Sequence, residues 1–338
     1  MGIKHLNRFL RDNCSGKAIH SIHLHELCNR VVVIDTSIYL YKFSCENRLL
    51  ENMYLFISIL KRYQIEPIFV FDGKPPAEKK DLLCERKRDK QQAEQQYNIL
   101  QEQLRDAENE DEKKRMLLKM ESLKKHFVKV HTKDINKVKM LMKAYGVQFL
   151  DADEEADVVC AYMVHIGKAW ACISDDMDMF LYNCPRVIRN VNLHQHMGTF
   201  YDMNIILDEL EMSSSHFCEI MVLSGTDYNI HSTVRLSDTI QWFYEYRLCQ
   251  FHSHGKAKPY SFYIWLLKYT NYIQNYAELL HIYRLFQFSN NTSLEKWKQW
   301  TTPQTHYSES DVRTIMETDG FVFLSHETPK SETQGNIP

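Results

Sequence analysis

Long apolar runs and paired cysteines are both missing from this sequence of 338 residues. No apolar stretch approaches the roughly 18 residues that a membrane-spanning helix needs, so we predict no contact with a membrane. The nine cysteines include no Cys-x-x-Cys pair, which argues against structural zinc and favours a reducing compartment. The N-terminus also lacks a secretory pattern. We therefore expect a soluble intracellular protein.

Glycine and proline are absent from residues 78–145, which excludes most of the tight turns that these residues make. Apolar residues recur there in steps of three and four, as at Met116, Met120, Leu123 and Phe127. This spacing is typical of helices with one apolar stripe. The acidic stretch 106–112 predicts a turn, so we expect a helical hairpin over the edge of a sheet. An intermolecular coiled coil is the alternative, but each stripe spans few heptads.

Charge is unevenly distributed along the chain. The net charge is −3, but residues 74–143 hold 19 Lys/Arg and 13 Asp/Glu, which leaves a net of −9 for the remainder. A basic segment suits a nuclease, because Lys and Arg hold the phosphodiester backbone. A nuclease would also need carboxylates that hold metal ions, which activate water for attack on the phosphodiester. A solvated helix face has the same composition, so charge alone leaves both interpretations open.

Three apolar runs each end at carboxylates. Residues 31–34 lead into Asp35, residues 68–71 into Asp72, and residues 169–173, past Ser174, into Asp175, Asp176 and Asp178. Continuous apolar runs are typical of strands buried on both faces of a parallel sheet, whose carboxyl ends meet at the ligand-binding edge. Clustered carboxylates suit Mg²⁺ or Mn²⁺. Asp is also common at strand ends as a cap or turn former, but that explanation weakens when three strands share the pattern.

Three further acids extend this candidate metal site. A fourth strand is predicted at 147–150, and Glu155 and Asp157 open the helix that follows it, where the helix dipole favours negative charge. Asp227 follows the segment Leu-Ser-Gly-Thr at 223–226. The spacing of Asp176 and Asp178, two apart in a segment predicted to be extended, points both to one side. The candidate ligands are Asp35, Asp72, Glu155, Asp157, Asp176, Asp178 and Asp227.

The fold class that these patterns predict is α/β, with a mainly parallel central sheet flanked by helices. We expect helix, strand, helix (about Tyr39 to Tyr63) and strand over residues 1–73. An N-terminal nuclease region then spans 1–150 and includes the helical insertion at about 74–145. A second region, 151–324, becomes mostly helical from about 202 and carries a basic loop at 252–258. Residues 325–338 are polar and predicted to be disordered.

The sequence resembles the flap endonuclease/XPG superfamily of structure-specific 5′ nucleases from Met1 to about Leu324. Five motifs in the family's order and spacing carry the resemblance: Val-Ile-Asp-Thr-Ser at 33–37, Phe-Asp-Gly-Lys-Pro-Pro at 71–76, Glu-Ala-Asp at 155–157, Asp-Asp-Met-Asp at 175–178 and Gly-Thr-Asp-Tyr at 225–228. It implies a PIN-like core with a helical arch. It also implies that the seven acids bind two Mg²⁺ ions, for which Mn²⁺ could substitute.

The resemblance further places Lys79 and Arg86 at the base of the arch, as catalytic contacts to the scissile phosphate. Their spacing of seven residues is two helical turns, so both side chains leave the same face of a helix. The alternative is that this face is simply a charged helix surface exposed to solvent. Tyr41 matches a position whose ring stacks on a base near the cleavage point, although its own pattern favours the core. Gly2 matches the residue with which members of the family usually begin, and their N-terminus packs near the DNA junction.

One departure from the family concerns duplex binding. The family usually has a glycine-rich helix-hairpin-helix after the Gly-x-Asp-Tyr segment, often with a monovalent cation, but residues 229–236 contain no glycine. Glycine is the usual device for close approach of backbone to phosphate, so Arg235, Lys256 and Lys258 are expected to supply the DNA contacts instead. A sliding-clamp motif is not visible, and we expect a monomer.

The predicted function is a two-metal 5′ DNA nuclease, a flap endonuclease or 5′–3′ exonuclease. It would act at single-strand/duplex junctions, in the nucleus or another site of DNA replication or repair. Two alternatives stay open. One is an RNA nuclease on a related PIN-like core, and the other is a catalytically silent DNA-binding scaffold, which would be expected to have lost some of the acids.

Overall fold

A single mixed sheet forms the centre of the protein in the computed structural model, which describes residues 3–106, 109–252, 261–273, 275–301, 303 and 305–323. Its strands are β1 (Ile19–His23), β2 (Val31–Asp35), β3 (Glu66–Phe71), β4 (Gln148–Asp151), β5 (Ala171–Ile173), β6 (Arg186–Asn192) and β7 (Met197–Asp202). They lie in the order β1-β7-β6-β5-β2-β3-β4. The strands from β6 to β4 in this order run parallel, whereas β7 and β1 add antiparallel pairs at one side. The predicted mainly parallel α/β fold is confirmed.

Helices cover both faces of this sheet. The helices of the described residues are α1 (Leu6–Asn13), α2 (Thr36–Cys45), α3 (Leu49–Arg62), α4 (Lys80–Asp106), α5 (Glu110–Phe127), α6 (Thr132–Ala144), α7 (Ala156–His165), α8 (Asp178–Leu181), α9 (Met203–Glu209), α10 (Ser214–Leu223), α11 (Leu236–His252), α12 (Phe262–Tyr269), α13 (Tyr276–Leu285), α14 (Glu295–Gln299) and α15 (Glu309–Thr318). Short 3-10 turns lie at Leu24–Leu27, Ala77–Lys79, Phe288–Asn290 and Thr292–Leu294. No helix among these described residues has the length and apolarity needed to cross a bilayer.

The continuous apolar runs of the strands follow from burial on both faces. Along β2, Val32 and Ile34 pack in the layer with α2, α3 and α6, whereas Val33 packs in the layer with α1, α7 and α10. Because side chains alternate across a strand, both kinds of position must be apolar when helices cover both faces.

Strands β1, β6 and β7 were not predicted by the sequence patterns. Polar side chains interrupt all three, including His20 and His23 in β1 and the exposed Asn190 in β6. They lie toward the antiparallel side of the sheet, where part of the surface faces solvent, so no continuous apolar run marks them.

The single helix expected from about Tyr39 to Tyr63 is wrong, because the structure forms α2 and α3 with a break between them. Asn47 adopts a left-handed conformation, with φ of 55°, and the Arg48 N–H donates to the carbonyl of Phe43 at 3.1 Å. This is a helix-ending motif in which Asn is tolerated in place of glycine. The apolar spacing continues across the break, so the sequence pattern does not mark the end of α2.

The glycine-free insertion contains the expected helical hairpin, formed by α4 and α5. The rings of Tyr97 and Phe127 meet across it, with centroids 5.3 Å apart. The third helix of the segment, α6, instead joins the core, where Val138 and Leu141 are fully buried. The arch therefore ends before 145, because α6 covers one face of the sheet.

Candidate active site

Three parallel strands deliver acids to one edge of the sheet. Asp35 ends β2, Asp72 follows β3, and Asp176 and Asp178 follow β5, with Asp178 as the first residue of α8. Gly73 allows this edge to close, because a Cβ atom there would lie 2.2 Å from the carbonyl oxygen of Ala152. The chain after β4 consequently passes directly beside Asp72.

That passage brings the start of α7 into the cluster. The Asp72 Oδ1 atom accepts a hydrogen bond of 2.8 Å from the Ala156 N–H. Glu155 lies at the N-cap position of α7 and Asp157 in its first turn, where exposed N–H groups favour negative charge. The sequence-based placement of both acids at this helix start is therefore confirmed by the geometry.

Burial and mutual repulsion raise the pKa of three acids of the cluster. Burial, followed by the charges of Asp72 and Asp176, raises the pKa of Asp35 from 3.8 to about 7. Burial and Asp35 raise the pKa of Asp157 well above its ordinary value. Burial and Asp176 do the same for the pKa of Asp178, with Asp227 and Glu155 adding to the rise. Each of the seven predicted acids is thus an electrostatic neighbour of at least one other.

Lys79 supplies a positive charge within this cluster. It ends the 3-10 turn Ala77–Lys79 and is 7% exposed, and its Nζ atom lies 2.6 Å from Glu155 Oε1. The other oxygen of Glu155 accepts a 2.7 Å hydrogen bond from the hydroxyl of Tyr228. Burial lowers the pKa of Lys79, but Glu155 and Asp178 outweigh it, so the pKa lies above its ordinary value. Lys79 is therefore charged wherever the protein is folded.

Arg86 forms the second cation contact. Its Nη2 atom donates to Asp227 Oδ2 at 2.8 Å, from a side chain that is 38% exposed. Asp227 lies in the loop between α10 and α11, so this ion pair joins the base of the arch to the C-terminal region. Lys79 and Arg86 were predicted to leave one face of a single helix, but Lys79 lies in the 3-10 turn that precedes α4 and only Arg86 lies within α4. Both side chains nevertheless converge on the acidic cluster.

The expectation that Asp176 and Asp178 lie in an extended segment is wrong. Asp178 begins α8, and Asp176 precedes it in a turn, where its Oδ1 atom accepts the Asp178 N–H at 3.0 Å. The chain must reverse at the end of β5, and the Asp side chains stabilise the turn. Both residues nevertheless reach the same cluster.

The carboxylate oxygens of the cluster are the ligand type that a hard divalent cation prefers. Neither oxygen of Asp178, which is 1% exposed, has a hydrogen-bond partner within the described part of the chain. A buried carboxylate without a partner is costly, and oxygen-only ligands favour Mg²⁺ or Mn²⁺. No three His, Cys, Asp or Glu groups among the described residues enclose an ion site as they stand. Two of the acids are instead engaged by Lys79 and Arg86.

Three residues that contact the cluster or the adjoining Asp175 were missed by the sequence analysis as contributors to the site. The Ser174 hydroxyl bonds Asp35, Tyr228 bonds Glu155, and Arg189 Nη2 donates to the Asp175 carbonyl at 2.7 Å. Ser174 and Tyr228 lie inside or beside quoted motifs, so adjacency to the acids was an available signal. Arg189 lies on strand β6, which the sequence patterns did not predict, so no sequence signal pointed to it.

The predicted DNA contacts are only partly described. Tyr41 is 47% exposed, so the core placement that its pattern favoured is wrong, and Lys90 Nζ lies 5.2 Å from its ring centroid. Arg235 is exposed immediately before α11. Gly2, Lys256 and Lys258 lie outside the described residues, as does the tail 325–338.

Side-chain hydrogen bonds shape the glycine-poor loop between α10 and α11. The Asn229 Oδ1 atom accepts from the N–H and hydroxyl of Thr226, at 2.7 and 2.6 Å, and its Nδ2 donates to the Val222 carbonyl at 2.8 Å. The hydroxyl of Ser232 donates to the Leu223 carbonyl at 3.1 Å. Asn and Ser thus fix the backbone around Asp227.

Comparison with known proteins identifies similar sequences. The XPG N-terminal domain model matches residues 1–94, and the XPG I-region model matches residues 146–227. Flap endonuclease 1 of Methanococcus aeolicus is 30% identical over 227 residues, covering 62% of this chain and 66% of that protein. The probable RAD2-like endonuclease 369L of Invertebrate iridescent virus 6 is 26% identical over 280 residues, covering 68% and 67%. The chain thus spans about two thirds of the length of these curated relatives.

Similarity of fold extends over most of the chain. The catalytic core of Rad2 in complex with DNA substrate has a TM-score of 0.60 at 20% identity, covering 94% of each chain. At this identity the match establishes the fold, including the PIN-like core that the family resemblance implies. The two family models enclose all seven acids of the cluster, together with Lys79 and Arg86.

Proposed function

The chain belongs to the XPG superfamily of nucleases, and on that premise we propose that it is a structure-specific 5′ DNA nuclease. Its substrate would be DNA with a 5′ flap or another single-strand/duplex junction. Seven carboxylates and two arch-base cations meet at one edge of the sheet, and this arrangement is the observation that carries the proposal. None of the seven acids is replaced, which argues against a silent scaffold.

Two divalent cations, Mg²⁺ or Mn²⁺, are the proposed cofactors. Their ligands would come from Asp35, Asp72, Glu155, Asp157, Asp176, Asp178 and Asp227. When bound, such ions activate water for attack on a phosphodiester and stabilise the leaving oxygen. Asp178 supports this assignment most directly, because its two oxygens are buried without a partner in the described part of the chain.

Lys79 and Arg86 are proposed to neutralise charge on the scissile phosphate. Both are held at the cluster by ion pairs, with Glu155 and Asp227 respectively, so a phosphate entering between the acids and the arch would meet preorganised cations. Such donors contribute most where water is excluded, and Lys79 is almost fully buried. The hairpin of α4 and α5 rises from this point and would enclose a single-stranded flap.

The direct test is cleavage of a matched set of 5′-labelled substrates in Mg²⁺: a flap, a nick, a gap, a blunt duplex, and an RNA flap of the same sequence. We expect cleavage of the DNA flap near the junction, suppression by a chelator, and no activity in the Asp178→Ala variant. Flap binding without cleavage by the wild-type protein would favour the scaffold. Faster cleavage of the RNA flap would favour the RNA nuclease.

A further inference from the structure

Ser174 lies where two acid-bearing strands run side by side. Strands β2 and β5 are parallel neighbours in which Ile34 pairs with Ile173, so the next positions of the two strands are Asp35 and Ser174. The backbone N–H of Ser174 donates to the Ile188 carbonyl on β6 at 3.1 Å. The backbone of Ser174 is therefore held by the sheet, although β5 itself ends one residue earlier.

The hydroxyl of Ser174 links two of the acids. It donates to Asp35 Oδ2 at 3.0 Å and accepts the backbone N–H of Asp176 at 3.1 Å. A serine hydroxyl carries one hydrogen, so the bond to the acceptor-only carboxylate consumes its donor. Ser174 is fully buried, and water is therefore not available to replace either bond without a rearrangement.

These bonds continue through the turn toward α8. Asp176 Oδ1 accepts the Asp178 N–H at 3.0 Å, and the preceding Asp175 carbonyl is held by Arg189. A chain of hydrogen bonds thus runs from Asp35 through Ser174 and Asp176 to Asp178. Displacement of the Ser174 hydroxyl would disturb the Asp35 carboxylate directly. It would also disturb the backbone from which the side chains of Asp176 and Asp178 extend.

We propose that Ser174 is a positioning residue that sets the spacing of Asp35, Asp176 and Asp178 for divalent cations. The inference rests on the proposed function, because it assigns Ser174 to the same metal site. Alanine at this position would leave the Asp176 N–H buried without a partner and free the Asp35 carboxylate to turn. Loss of an outer-shell partner of metal ligands typically lowers metal affinity or activity by about 10–100-fold.

The test compares Ser174→Ala, Ser174→Thr and the control Ser58→Ala. The part-buried hydroxyl of Ser58 makes a hydrogen bond of 2.7 Å with Tyr145, away from the acids, so it controls for the loss of a hydrogen-bonded hydroxyl elsewhere in the protein. Mn²⁺ binding to the DNA-free protein, measured by calorimetry or electron paramagnetic resonance, gives a readout that does not depend on cleavage. Circular dichroism confirms that each variant is folded. Flap cleavage against Mg²⁺ concentration then gives the half-activating concentration.

We expect Ser174→Ala to weaken Mn²⁺ binding and raise the half-activating Mg²⁺ concentration by about tenfold or more. Ser174→Thr, which keeps the hydroxyl, and Ser58→Ala should stay within about twofold of the wild type. Unchanged Mn²⁺ affinity in Ser174→Ala would overturn the inference, and so would equal losses in the alanine and threonine variants. If the wild type binds Mn²⁺ but cleaves none of the substrates, the proposed function fails while the positioning role is still measured.

Discussion

Asp35→Asn is expected to stabilise the metal-free protein at neutral and alkaline pH. Asp35 is 3% exposed and lies beside Asp72 and Asp176, so its negative charge is unfavourable in the folded state when no cation is present. Asparagine has nearly the same shape and can still accept the hydrogen bond from Ser174, but it carries no charge. The substitution therefore removes a repulsion while keeping the packing.

The magnitude follows from the pKa of Asp35, which burial and the neighbouring acids raise from 3.8 to about 7. One pKa unit corresponds to about 1.4 kcal/mol, so ionising Asp35 costs the folded state at most about 4 kcal/mol above pH 7. It is an upper bound because the whole of the raised pKa is assigned to the folded state. An unfolding entropy of about 2 cal/mol/K per residue converts this energy to a rise of at most about 6 °C in the melting temperature.

The sign of the pH dependence is fixed by the direction of the pKa shift. A carboxyl group with a raised pKa in the folded state stabilises the protein below its unfolded pKa, and this contribution is lost as pH rises through the folded value. The wild-type protein should lose stability between about pH 4 and pH 8 through Asp35, whereas the asparagine variant lacks this loss. The two melting temperatures should therefore converge near pH 4 and separate at pH 8.

Thermal unfolding in a chelator at pH 5 and pH 8, followed by circular dichroism, measures this difference. Asp208→Asn is the matched control, because Asp208 is an exposed Asp on α9 and should change little at either pH. Added Mg²⁺ should raise the melting temperature of the wild type more than that of Asp35→Asn. A variant that melts at or below the wild-type temperature at pH 8 in chelator would refute the electrostatic account.

Three other predictions concern catalysis and binding. Lys79→Ala and Arg86→Ala should each lower the single-turnover cleavage rate by about 10²–10³-fold, with a far smaller loss of flap affinity. The control is Arg88→Ala, which should leave the rate unchanged because Arg88 is exposed on α4. An unchanged rate with a large loss of affinity in the Lys79 and Arg86 variants would mean that both residues only contact the DNA backbone. Asp178→Ala should abolish cleavage without lowering the melting temperature in chelator, since it removes a buried carboxylate without a partner in the described chain; retention of most activity would exclude a ligand role. Arg235→Ala, or Lys256→Ala with Lys258→Ala, should weaken double-flap affinity across a salt series in K⁺ and Na⁺, each phosphate contact contributing about one unit of salt slope. A strong preference for K⁺, with no effect of these substitutions, would mean that the loop backbone binds the duplex.

The acid-bearing strands were predictable because their signal is local. A strand buried on both faces needs a continuous apolar run, and a polar residue marks the point where it leaves the core. Asp35 and Asp72 follow that rule, and their proximity follows from parallel strands sharing one edge. Strand β6, with its polar and exposed positions, has no such local signal, so Arg189 was missed with it.

The pairing of cations with acids was beyond sequence patterns. The heptad spacing of Lys79 and Arg86 predicts a shared direction, but their partners Glu155 and Asp227 lie 76 and 141 residues further along the chain. Ser174 adjoins the acids in the sequence, but its bond to Asp35 depends on the register of β2 and β5, which the neighbouring sequence does not show. Such contacts are determined by tertiary packing, which local periodicity does not encode.

The two ion pairs divide the acidic cluster into unequal parts. Glu155 and Asp227 each have a cation from the arch base, whereas Asp178 is buried without a partner in the described chain and Asp35 is held by a neutral hydroxyl. The charge without an ion pair therefore lies mainly where Asp35 and Asp178 follow β2 and β5, and the pKa of each is raised. Lys79 offsets part of this charge, because its own charge lowers the pKa of Asp178. If Ser174 positions these acids as we propose, a divalent cation bound beside them would offset the charge that remains.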